Sequence, residues 1–257
     1  MTVNLSEEEK KSPLYKYFER EIAKVPEDVL NRIMSGSFES ENGLLPTEMN
    51  KLFEPGYLPG EFGWYKLKDG GIMVANLTKM PGVTPEMFDW WFAWHGLGSM
   101  RYKIWDKDDH YYCQTRNPEI SLNENLSMKE RYWNTTHDVK EALVDGQEPM
   151  DVCIQFVPPE TIGYDPEKLK NFKGTIVCTP GPIVMSHFVR PTEDGSELRT
   201  RFWIGYDIKD NKPVRIEGFN PEDGFAKALL THNVKEFTHL AEILPEVYNE
   251  FKDRFEL

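Results

Sequence analysis

Residues 224–248 read GFAKALLTHNVKEFTHLAEILPEVY. Within them Phe225, Leu229, His232, Glu236, Leu240, Ile243 and Val247 recur at steps of four, three, four, four, three and four, the spacing of one face of an α-helix. That face is apolar at both ends and polar in the middle. A carboxylate on a core-facing stripe is costly unless it is paired or bound to a metal. Residues four apart lie one turn apart, so His232 and Glu236 can converge on one point. HxxxE is therefore a candidate half of a metal site. For the pair taken alone, an ordinary His–Glu hydrogen bond at the mouth of a cavity is the plainer reading.

Working outward, the chain before this helix reads mostly as strands. Asp69-Gly70-Gly71 lies between Trp64–Lys68 and Ile72–Thr78, and Thr192–Gly195 lies between strands predicted at 182–190 and 198–208; both are hairpin signals. Met100–Trp105 alternates apolar and polar residues and predicts another strand, as do His110–Cys113, Val152–Val157 and Gly174–Cys178. Thr136–Leu143 is short and polar, with Val139 and Glu141 two apart. Thr84-Pro85-Glu86 opens a helix that runs through MFDWWFAWH and ends at Gly96 and Gly98. Its aromatics read as core, and His95 at its end reads as a capping histidine. Strands joined by hairpins, then one long helix, predict an α+β fold with an antiparallel sheet. A sheet curling round the final helix leaves a cavity between them, where ligands usually bind. Residues 13–34 carry two short helical patterns, 35–63 read as an extended arm, and 116–130 as an inserted loop. The expected division is a mainly helical and extended region over 1–80 and a main domain over 81–257. The first part has too little apolar surface to fold alone.

The length of 257 residues fits one large domain or one domain with a smaller extension. A hydrophobic content of 39% with 28% charged residues is that of a soluble globular protein. The net charge of −13 argues against nucleic acid and anionic membrane surfaces as partners. The charged N-terminal stretch has no apolar segment of signal-peptide type, and no apolar run approaches membrane-spanning length. Cys113, Cys153 and Cys178 form no CxxC pair, and three scattered cysteines suit a reducing cytoplasm.

The residues that could complete a site with His232 and Glu236 are His110, Glu141, 31 positions later, and His187, in a strand between Met185 and Val189. His137 and His239 are rivals, and spacing alone does not choose among them. Two histidines and two carboxylates suit a borderline divalent ion, zinc first.

The run MFDWWFAWHGLGSMRYKIWDKDDH, residues 87–110, resembles the diacetylphloroglucinol and phloretin hydrolases. The shared pattern is WWFxWH, RYKxW and a following His, a glutamate 31 residues later, a mid-chain His and a C-terminal HxxxE. The likeness covers about residues 80–240. It implies a START-like helix-grip catalytic domain, a zinc ion, and hydrolysis of the carbon–carbon bond between an acyl carbonyl and a phloroglucinol ring. It implies His110, Glu141, His232 and Glu236 as metal ligands, with Tyr102 and His187 in the active site and Tyr206 as a second tyrosine. It also implies a homodimer formed with help from the N-terminal part. Cys113 stands where some members carry asparagine, which bears on the substrate more than on the chemistry. The rival expectation is a START-like protein that binds a hydrophobic ligand without metal or catalysis.

Overall fold

A computed structural model describes residues 2–36, 38, 40–144 and 146–256. Its strands are β1 (Gly63–Lys66), β2 (Ile72–Pro81), β3 (His110–Thr115), β4 (Thr136–Glu141), β5 (Met150–Gln155), β6 (Thr175–Thr179), β7 (Ile183–Thr192), β8 (Gly195–Ile204), β9 (Tyr206–Lys209) and β10 (Lys212–Arg215). Five of them form an antiparallel sheet in the order β1-β2-β8-β7-β6, and β3-β4-β5 form a second one. The helix read from the stripe runs over Asp223–Phe251 and packs on β2 and β1. Six of its seven stripe residues are buried and Phe225 is half-buried. The molecule is thus mixed α and β, with antiparallel sheets and a long C-terminal helix. Among the described residues, no helix is long and apolar enough to cross a membrane.

Local chemistry explains the elements. Both hairpins form where predicted, and Gly70 takes the left-handed backbone (φ 85°) that its turn requires. The tryptophan-rich helix spans Pro85–Trp94, with the Thr84 side chain accepting from the Met87 N–H at 3.3 Å. The strand expected over 198–208 breaks at Gly205, whose φ of 89° turns the chain into β9.

One expectation is corrected. Met100–Trp105 is not a strand: Ser99–Lys103 is a short helix. Its alternation misled because Arg101 and Lys103 do not face solvent. Both are buried, Arg101 on the carbonyls of Trp94 and Phe255 and Lys103 on Glu9. The expected boundary at residue 80 falls within β2. β2 pairs with β8 along its whole length, from Ile72 opposite Ile204 to Pro81 opposite Gly195. The arm before it covers the sheet's back face: Leu44, Met49 and Leu52 are buried with Tyr65, Met73 and Trp203. Each such aliphatic side chain contributes about 2 kcal/mol by leaving water. The Trp203 indole N–H donates to the Leu44 carbonyl at 2.7 Å, and Arg199 to that of Leu52 at 2.9 Å. The opposite face of the sheet meets the C-terminal helix through Val74, Phe202 and Ile204 against Leu229, Leu230 and Val234.

Candidate metal centre and active site

A cavity lies between the two sheets, the tryptophan-rich helix and the C-terminal helix. Strand alternation aims His137, Val139 and Glu141 of β4 into it, and helical spacing adds Leu229, His232 and Glu236. His110 and Glu141 are direct partners across the β3–β4 ladder, which is how residues 31 positions apart meet. The His110 Nδ1–H donates to the Tyr102 carbonyl at 3.1 Å, so Nε2 carries the free lone pair. That Nε2 lies 3.4 Å from His232 Nε2 and 3.6 Å from Glu236 Oε2, and His232 Nε2 lies 3.9 Å from the same oxygen. Ligand atoms of His110, Glu141 and His232 all fall within 4.8 Å of one another.

The surroundings hold these groups in place. Tyr102 stacks on His110 with ring centroids 3.7 Å apart and donates its hydroxyl to Glu141. The Asn233 amide donates to Glu236 Oε1 at 3.1 Å, and Asn76 donates to Asn233. Asp109 Oδ2 sits 4.0 Å from His232 Nδ1 and also takes Lys235 at 2.6 Å. At that distance Asp109 faces the His232 Nδ1 without a hydrogen bond, in the place where a metal-ligating histidine usually has a carboxylate.

The donor set fits a divalent cation. Burial, then Glu141 and Asp106, push Glu236 well above the usual carboxylate range. Burial, then His232, push His110 well below the usual imidazole range. Among the described residues, neither Glu141 nor Glu236 has a lysine or arginine partner. An ion of charge +2 held between His110 and Glu236 would reverse both of those shifts.

Comparison with known proteins shows the family of the chain. A sequence profile of the DAPG hydrolase PhiG domain matches residues 44–249. The chain belongs to the DAPG hydrolase family. It is 37% identical to the phloretin hydrolase of Eubacterium ramulus over 273 positions, covering 98% of this chain and 95% of that protein. It is 29% identical to the 2,4-diacetylphloroglucinol hydrolase of Pseudomonas protegens over 262 positions, covering 93% and 84%. A 2,4-diacetylphloroglucinol hydrolase of a Pseudomonas species is 28% identical over the same number of positions, covering 93% and 88%.

In this member of the DAPG hydrolase family, His187 also lines the cavity, from β7. It sits opposite Thr200 on β8, and its Nδ1 is 2.9 Å from Thr200 Oγ1. Burial lowers its pKa to about 3, so the ring is neutral at neutral pH. Tyr102 reaches the cavity too, from a helix rather than a strand. Tyr206 does not: it lies beyond the Gly205 break, its hydroxyl donates to Asp69 at 2.7 Å, and it packs in the arm-side cluster. His239 accepts from the Ala23 N–H at 3.1 Å, outside the cavity lining. His95 bonds the Trp91 carbonyl at 2.9 Å, as a helix-end histidine does, but it also faces the cavity beside His137. The sequence carried a signal for His137 in its spacing of four from Glu141 on an alternating strand.

Proposed function

We propose that the protein is a zinc-dependent hydrolase that splits the carbon–carbon bond between an acyl carbonyl and a phloroglucinol-type ring, with a phloretin-like ketone as substrate. The observation that carries this reading is the convergence of His110, Glu141, His232 and Glu236 at one end of an aromatic-walled cavity, in a chain 37% identical to a phloretin hydrolase. We read the sheet and its final helix as a START-like helix-grip, with the cavity as the grip's ligand chamber. Zinc bound by these four residues would polarise an oxygen and lower the pKa of a bound water towards about 7.

The protein's own groups account for the rest. With Nδ1–H on Thr200, His187 presents its Nε2 lone pair and accepts a proton from the attacking water as negative charge develops beside it. Tyr102, at the carboxylate edge, would turn its one hydroxyl proton from Glu141 to a substrate oxygen once Glu141 holds the metal. The water oxygen bonds to the acyl carbon and the bond to the ring breaks. The ring carbon takes the proton from His187, leaving a carboxylic acid and a phenol. Phe92, Phe156 and Phe202 wall the ring and exclude bulk water. Metal analysis with a turnover assay tests this: about one zinc per chain and release of phloroglucinol from phloretin are expected. Metal-free protein as purified, or no turnover of phloretin or diacetylphloroglucinol by zinc-loaded protein, would refute it.

A further inference from the structure

His137 is left unexplained by the chemistry above. It is fully buried, and among the described residues neither ring nitrogen has a hydrogen-bond partner. It shares the cavity-facing side of β4 with Val139 and Glu141. Its ring is clamped: a Cβ at Gly96 would come within 2.2 Å of it, and Phe156 meets it edge-on at 4.9 Å. An immobile, buried, unpartnered imidazole aimed into a cavity is a recognition group awaiting a polar atom.

The rings along this wall give the direction. His137 lies 5.0 Å from His95, His95 lies 6.1 Å from Tyr102, and Tyr102 lies 3.7 Å from His110. The polar edge therefore runs from the four-ligand cluster to His137, with Phe92 and Phe156 beside it. A flat ring whose acyl group sits at the cluster points its opposite edge at His137. A neutral imidazole offers one donor and one acceptor, which match a phenolic hydroxyl and a neighbouring oxygen.

We infer that His137 binds the ring hydroxyl para to the acyl group and makes the enzyme select for it. This rests on the function proposed above. His95, Cys113 and His137 also bring ligand atoms within 4.8 Å of one another. That group contains no carboxylate, and burial pushes the Cys113 thiol up, so it is suited to a neutral partner rather than a cation.

The test compares a 2,4,6-trihydroxyphenyl ketone with its 2,6-dihydroxyphenyl analogue in wild type, His137→Phe and His137→Gln, each loaded with zinc. Binding by calorimetry, turnover and metal content are all read. Wild type should favour the trihydroxy ketone by about tenfold or more, as sites that hydrogen-bond a hydroxyl do. His137→Phe should lose that preference, and His137→Gln, which keeps a donor and an acceptor, should restore part of it, both with unchanged metal. An unchanged preference in a folded His137→Phe protein overturns the inference, as does loss of a second metal equivalent. If wild type turns over neither ketone, the proposed reaction fails, while the two binding constants still decide the contact. If His137→Phe does not fold, the smaller apolar variant His137→Leu decides: the full wild-type preference in folded His137→Leu protein overturns the inference, and its loss upholds it.

Discussion

His110 and His232 share their end of the cavity with two carboxylates, whereas His95 and His137 share theirs with Phe92, Phe156 and a thiol. Burial drives the imidazoles His110, His95 and His137 towards the neutral form, His95 to about 4. Burial therefore does not separate a metal ligand from a substrate contact. The acids do. Where Glu141 and Glu236 crowd in, a proton or a bound cation would relieve the site. Where the neighbours are apolar, a neutral hydroxyl suffices.

The largest expected effect breaks the acid-rich end. Glu236→Gln should reduce metal affinity by more than the about 10–100-fold typical of outer partners and remove turnover with it, whereas His137→Phe should leave metal content intact. Elemental analysis of both variants is the check, and equal metal loss in the two would erase the distinction. Next come groups in the cavity outside the ligand set. His187→Ala and Tyr102→Phe should each lower kcat/KM by about tenfold or more, about 1.4 kcal/mol, with metal near wild type. Loss of metal in His187→Ala would make it a ligand instead. A milder change tests the support behind His232: Asp109→Asn should weaken metal binding about tenfold in a competition titration with a chelator.

The smallest effect is a pH slope in the metal-free protein. Glu236 has a folded pKa raised well above its unfolded value near 4.5, so the folded state binds the extra proton. Its contribution to stability is present at low pH and is lost as pH rises through the raised value. The buried histidines, with lowered pKa values, act oppositely and only below about 6.5. Thermal unfolding in chelator should therefore show stability falling as pH rises through the raised Glu236 value, and Glu236→Gln should flatten that slope. A slope that survives the substitution would assign it to another group.

Much of this was legible in the chain. The stripe from Phe225 to Val247 gave the helix, because 3.6-residue periodicity over seven positions has no competing reading. The hairpins at Gly70 and Gly195 were legible because turn chemistry is local. Met100–Trp105 was not: over six residues, alternation cannot distinguish an edge strand from a short helix whose Arg101 and Lys103 are capped by carbonyls and a carboxylate far away in sequence. Tyr206 was misplaced for a related reason, since its position depends on one left-handed glycine between β8 and β9. The arm over 35–63 looked peripheral because its apolar residues have no period. Leu44, Met49 and Leu52 show their purpose only against Trp203. Of the site, the residues that converge on one point were recognisable through spacing and resemblance. His137 was named only as a rival ligand, and the missing information was which neighbours shared its end of the cavity.

The order in which the cluster's pieces occur has a consequence for biosynthesis. β3 and β4 bring His110 and Glu141 together early, but His232 follows Glu141 by 91 positions, on a helix that comes after every strand. At the usual pace of translation, about 5–20 residues per second, the growing chain carries half a cluster for roughly 5–20 seconds. One imidazole and one carboxylate hold a divalent ion weakly. Tight loading would wait for the last helix to dock, so an ion bound by the four residues would be taken up by the finished fold and would discriminate it from shorter nascent chains.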